Sequence, residues 1–114
     1  MTTFLLAALA FYYNQIALGN TSPGIIRDYV VVEALVANVD PQLAQAISGD
    51  ESHFNCNAIG DHGTSYGCWQ IHLPAHPDIS ADQAKDPIFS TEWSMHQLAQ
   101  GNCKIWSTCP KEAP

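Results

Sequence analysis

Basic side chains are scarce in this chain: four Lys and Arg stand against eleven Asp and Glu, for a formal charge of -7. Nucleic-acid phosphates require a Lys/Arg surface, so this balance argues against nucleic acid as a partner and disfavours adsorption to anionic lipid. No Lys or Arg precedes Arg27, and the apolar run FLLAALAFYY at 4–13 therefore lacks the basic n-region of an ordinary signal peptide. A long apolar run is also missing. Extending this one to Leu18 takes in Asn14 and Gln15, which leaves it short of the ~20 apolar residues of a spanning helix. Three readings of residues 1–20 stay open: an atypical signal peptide, a short membrane anchor, or an amphipathic helix folded onto the domain. Export is favoured because it agrees with the cysteine content. Internal repeats and low-complexity segments are absent from the sequence.

What is present suits one small domain. The 114 residues are 46% hydrophobic and include three Trp, four Tyr and four Phe, enough for one core. A domain of this size buries only ~60–70% of its unfolded surface, so covalent staples help. Four cysteines can supply them. The turn-rich GNTSPG at 19–24 marks a boundary, giving an apolar N-terminal segment over 1–20 and a domain over 21–114.

Within that domain the pattern is mainly helical. IIRDYVVVEALVANV, from Ile25 to Val39, places Ile25, Tyr29, Val32 and Val36 three or four apart, which predicts a helix despite its β-branched content. Asp40-Pro41 combines a good N-cap with a good first helical residue, so a second helix starts there. It directs Leu43, Ala44, Ala46 and Ile47 to a core and ends between Glu51 and Phe54. The following NCNAIGDHGTSYGCWQI has the Gly and Asn density of irregular chain or a short hairpin. Ser80-x-x-Gln83 is a capping box. Asp86-Pro87 repeats the cap-then-proline signal and opens a helix with Ile88, Phe89, Trp93 and Leu98 as its apolar positions, stopped by Gly101-Asn102.

The stretch DESHFNCNAIGDHGTSYGCWQIH at 50–72 concentrates the chemistry, and two kinds of site can be built from it. His53-x2-Cys56 and Cys68-x3-His72 have the spacing of two zinc-ligand pairs, with His62 between them. Against zinc, the interleaved Gly, Asn, Ser and Gln are not what a zinc knuckle requires, and no second C-x-x-C or H-x-x-x-H pair exists. An even cysteine count in an exported domain points instead to disulfides. Of the three connectivities that four cysteines allow, Cys56–Cys68 and Cys103–Cys109 are favoured, the first stapling the turn region and the second closing the C-terminal loop. No metal and no cofactor are expected.

The other site has Glu51 as an acid. Glu51-Ser52-x-Phe54-Asn55, then Ala58-x-Gly60-Asp61-x-Gly63-x-Ser65-x-Gly67-x-x-Gln70-Ile71, resembles the lysozyme-like superfamily, specifically the catalytic domain of soluble lytic transglycosylases and their goose-type lysozyme relatives. That family places "ES" at the end of a helix, then a small-residue turn, then Gly-x-x-Gln-Ile; this chain has about one residue more in the turn. VDPQLAQAIS looks like the helix that delivers the family's glutamate, and Asp86-Pro87 through Leu98 looks like the helix that follows. The likeness covers roughly residues 25 to 109. It implies an α+β lysozyme-like fold, mainly α, with a glycine-rich turn or hairpin after the catalytic helix. It implies also a lytic transglycosylase acting on the MurNAc–GlcNAc bond of peptidoglycan glycan strands, with Glu51 as sole catalytic residue and Ser65 and Gln70 binding the sugar's N-acetyl and hydroxyl groups.

The residues themselves agree with an acid at this position. Glycosidic cleavage needs a carboxyl kept protonated by an apolar setting, and Glu51 ends an apolar helix face with Phe54, Trp69 and Ile71 near in sequence. Asp50 points to another side of the helix and is expected to be solvated. Ser65 and Gln70 have a plainer reading as turn-stabilising hydrogen-bond groups. Trp69, Trp93 and Trp106 either stack on sugar rings or pack the core, the latter for at least two of them. The chain departs from the family at its C-terminal end, where an Ala-Tyr-Asn segment with a cleft tyrosine is usual. Here the region is compressed to KIWSTCP, no tyrosine follows Tyr66, and Trp106 or Ser107 is the candidate substitute. The expectation is an exported monomer that cleaves peptidoglycan. Hydrolysis of the same bond by a lysozyme-type reaction is one alternative, and a non-catalytic glycan-binding module on the same fold is another; a zinc-binding interaction domain is the outlying one.

Overall fold

Three helices begin with a short polar residue followed by proline, the pair that satisfies an orphan backbone donor and presets the first helical φ. A computed structural model describes residues 2–112 of the chain. In it α1 spans Thr3–Ala17, α2 Pro23–Val36 behind Ser22, and α3 Pro41–Ser52 behind Asp40. Three two-residue strands follow: β1 (Ile59–Gly60), β2 (Ser65–Tyr66) and β3 (Ile71–His72). They form an antiparallel sheet in the order β1-β2-β3. α4 (Ala81–Lys85) opens with the full capping box between Ser80 and Gln83, and α5 (Pro87–Ala99) opens behind Asp86. The described residues are thus mainly helical with one small sheet. The segment after α3, expected as irregular chain or a hairpin, is a hairpin extended by a third strand.

The core lies where α2, α3 and α5 meet the sheet. Ile26, Val30 and Ala34 of α2, Ala44 and Ile47 of α3, and Trp69 and Ile71 are fully or almost fully buried. The face of α2 differs from the expected Ile25/Tyr29/Val32/Val36. It is Ile26, Tyr29, Val30, Glu33 and Ala34 that are buried. Glu33 is admitted because two phenols satisfy it: Tyr29 donates to its Oε1 at 2.8 Å and Tyr13 at 2.9 Å. Both tyrosine pKa values are raised, by burial first and then by the carboxylate beside them. In α3, Ala44 and Ile47 go inward as expected and Ala46 is exposed.

α1 rests on α2 with no fully buried residue of its own. Its attachment is Ile16, packed against the core, and Tyr13, whose ring lies 5.9 Å from that of Tyr29. Phe4, Leu6, Phe11 and Leu18 of this segment are exposed. Among the described residues no helix is long and apolar enough to cross a membrane.

All four cysteines are paired, Cys56 with Cys68 and Cys103 with Cys109. Two disulfides fit an oxidising, exported environment, because cytosolic thiols are kept reduced. The segment 67–69 is where the parts are tied together. Ser48 and Ser52 of α3 both donate to the Cys68 carbonyl, at 2.9 and 2.7 Å. Trp69 Nε1 donates to Thr91 Oγ1 of α5 at 3.0 Å, and Trp106 Nε1 donates to the Trp69 carbonyl at 2.9 Å. Along α5 the fully buried residues are the small polar Ser90, Thr91 and Ser94, with Met95 almost as buried; Thr91 is held by the Trp69 bond, whereas the Ser94 hydroxyl has no hydrogen-bond partner among the described residues. Small polar side chains let α5 approach the 67–69 segment closely, with Ser90 Oγ 3.6 Å from Cys68 Sγ.

Candidate active site

Glu51 stands in the last turn of α3, where the helix is ended by His53 and Phe54, both with left-handed backbone (φ 54° and 61°). Its neighbour Ser52 faces inward to the Cys68 carbonyl, while Glu51, about 100° away around the helix, lines a cavity of about 410 Å³ between the sheet, α5 and the C-terminal loop. The cavity wall includes Asp61, Ser65, Gln70, His72, Trp93 and Trp106. Asp50, as expected, is exposed.

The Glu51 carboxyl is held above the usual carboxylate range. Burial is the largest cause, and the nearby Asp61 and Asp50 charges add to it; the hydroxyl of Thr108, donating to Oε2 at 2.7 Å, pulls the other way. A carboxyl poised in this manner, partly desolvated yet open to a cavity, is suited to give a proton to a bound oxygen. Thr108 carries no sequence signal, because its bond spans 57 positions. Trp106 and Ser107, the candidates to replace the family's tyrosine, line the same cavity, but the contact to Glu51 is made by Thr108.

Ser65 and Gln70 both line the cavity, and both are engaged with the protein. Ser65 is fully buried; its hydroxyl donates to Asp61 Oδ2 at 2.5 Å and lies 3.2 Å from His72 Nδ1. Gln70 Nε2 donates to the Ala58 and Gly67 carbonyls, each at 3.0 Å. Its Oε1 occupies the space beside the Gly60 α-carbon, where a Cβ would collide with it. These bonds brace the turns of the sheet, and what each group offers a ligand is its remaining acceptor capacity.

The three tryptophans divide as the plainer reading held. Trp69 and Trp106 are buried, with ring centroids 5.6 Å apart. Trp93 is half-buried, edge-on to Trp106 at 6.1 Å and to His76 at 4.9 Å, and it lines the cavity. It is the one of the three placed to offer a ring to a ligand.

The two sulfur donors of the zinc reading, Cys56 and Cys68, are bonded to each other. Among the described residues no group of three or more His, Cys, Asp or Glu gathers as a metal cage. A second groove, of about 570 Å³, runs between the start of α3 and the end of α5. Its Asp40 caps α3 through the Gln42 amide, which leaves that carboxylate a structural task.

Compared with protein-family models, with curated proteins and with solved structures, the chain gives no match.

Proposed function

We propose that this chain is a lysozyme-like lytic transglycosylase that cleaves the β-1,4 bond between MurNAc and GlcNAc in peptidoglycan glycan strands. The observation that carries the reading is the Glu51 carboxyl, raised by burial and aimed into a cavity that also presents Trp93. The sequence resemblance supports it independently, since the residue raised in this way is the one that the "ES" motif singles out.

Protonated Glu51 gives its proton to the departing glycosidic oxygen. The sugar's N-acetyl carbonyl assists at the anomeric carbon, and the resulting Glu51 carboxylate takes the proton of the C6 hydroxyl as that oxygen closes a 1,6-anhydro ring. The Thr108 hydrogen bond steadies the carboxylate between the two steps. Trp93 supplies an apolar face for a pyranose ring. No metal or cofactor is invoked, and the exported chain acts as a monomer on glycan strands.

A second outcome at the same bond, hydrolysis, is favoured by one observation: Asp61 places another carboxylate on the wall of the Glu51 cavity. Paired carboxylates are the usual equipment of glycoside hydrolysis. Mass spectrometry of fragments released from peptidoglycan by the full chain separates the outcomes. Ends in 1,6-anhydro-MurNAc mean transglycosylation, and reducing ends mean hydrolysis. Glu51→Gln is expected to lower release of either by roughly 10²-fold or more. Binding without release by the wild type would leave a glycan-binding module.

A further inference from the structure

On the wall of the Glu51 cavity, Ser65 of β2 and His72 of β3 stand beside Asp61, which follows β1. Ser65 and His72 are direct partners across the ladder, so their side chains leave the same face of the sheet. His72 Nδ1 lies 3.2 Å from the Ser65 hydroxyl and 3.4 Å from that of Thr64. A hydroxyl has a single proton. Ser65 directs its proton to Asp61 Oδ2, and Thr64 directs its own to the Asp61 carbonyl at 2.7 Å. Neither oxygen has a proton left for the imidazole, so Nδ1 is the donor and the Ser65 oxygen the acceptor. In the neutral ring this leaves Nε2 with a bare lone pair. Sheet register and a carboxylate thus choose the tautomer of an imidazole that lines the cavity.

Nothing in the proton path through Glu51 uses this ring, and the two residues belong to different walls, Glu51 to α3 and His72 to β3. The geometry points to His72 as the base that activates water in this cavity, with Asp61 and Ser65 as the positioning residues that hold its tautomer. The inference rests on the Glu51 reading and extends it, because it assigns hydrolysis its own residue. As the C1–O bond breaks, the leaving oxygen takes the Glu51 proton. A water oxygen bonds to C1, and the proton it loses goes to Nε2. The imidazolium then returns a proton through solvent to the Glu51 carboxylate, restoring both groups. One water is consumed, and no other reactant is needed.

The test is peptidoglycan digested in ¹⁸O-water by the full-length wild type, His72→Gln, Ser65→Ala and Glu51→Gln, with ¹⁸O-labelled reducing ends and anhydro ends counted separately. In His72→Gln the ratio of reducing to anhydro ends is expected to fall roughly 10²-fold. Ser65→Ala should move it in the same direction by less. Azide is a nucleophile that needs no deprotonation, and it should restore turnover in His72→Gln as a glycosyl azide, which a merely structural role would not permit. An unchanged ratio, azide without effect, or a wild type that makes anhydro ends alone overturns the inference and leaves the Glu51 reading standing. A wild type that releases nothing overturns both. ¹⁵N NMR of the imidazole is a readout without turnover: a bare Nε2 is expected, and a proton found there at neutral charge overturns the assignment of His72 by itself.

Discussion

The Thr108 hydroxyl donates to Glu51 Oε2 at 2.7 Å, joining the C-terminal loop to the end of α3 across 57 residues of sequence. This bond is the one influence on Glu51 that favours its ionised form, set against burial and the charges of Asp61 and Asp50. The loop therefore tunes the acid, and removing the bond lets the opposing influences act alone.

Thr108→Val keeps the shape of the side chain and deletes the donor. The Glu51 pKa should rise further, so the protonated acid persists to higher pH. The alkaline limb of the pH–activity profile for peptidoglycan release is expected to shift upward relative to wild type. A downward shift would mean that the hydroxyl acts on the substrate and not on the carboxyl.

The same carboxyl makes a prediction about stability. Its folded pKa lies above the value in an unfolded chain, so the folded state binds the extra proton and stability falls as pH rises through the folded pKa. Glu51→Gln has no such proton to lose, and its amide oxygen can still accept from Thr108. Thermal unfolding should therefore show the variant matching wild type in acid, below the unfolded pKa, and gaining on it as pH rises past the folded one. A variant that is less stable at neutral pH than in acid, relative to wild type, would contradict the direction of the shift.

Local chemistry was legible in the sequence. Asp40-Pro41, Asp86-Pro87 and the Ser80–Gln83 box start helices because each cap is satisfied within three residues of itself. The two disulfide pairs join near neighbours, 12 and 6 residues apart, and were read correctly among the three connectivities. The buried face of α2 was not legible, because a carboxylate in an apolar run ordinarily marks an outer side and here Glu33 lies on the inner one. What selects the face is Glu33 accepting from Tyr13 and Tyr29, and Tyr13 belongs to another helix. The environment of Glu51 was visible only as apolar neighbours in sequence. Thr108 and the Asp61–Ser65–His72 chain follow from loop closure and strand register, which no local pattern encodes.

Gly67 is the position where the backbone leaves least room. Its φ is +88°, and a Cβ added there would collide with the Ala84 carbonyl oxygen and come within 2.8 Å of its carbon. The clash is with main chain that cannot swing aside, and left-handed backbone alone costs a non-glycine residue ~1–2 kcal/mol. Gly67→Ala is expected to lose more than about 3 kcal/mol in urea unfolding, in the range that marks severe core damage. A loss below about 1 kcal/mol would mean that α4 moves away from the sheet without cost.

The Cys103–Cys109 disulfide closes the loop that carries Trp106, Ser107 and Thr108. A loop with a sequence separation of 6 loses little chain entropy on closure, so deleting the bridge as Cys103→Ala with Cys109→Ala should cost only about 2 kcal/mol in urea unfolding. The effect on Glu51 should be out of proportion to that loss. Trp106 stays anchored by its bond to the Trp69 carbonyl, but Thr108 lies beyond that anchor, with the Cys109 link as its restraint on the other side. The double variant is therefore expected to fold and to reproduce the upward shift of the alkaline limb seen in Thr108→Val. Combining the two changes should add little further shift, since both remove the same hydrogen bond. A double variant that loses stability while its pH profile stays at the wild-type position would show that Trp106 alone holds the loop over the acid.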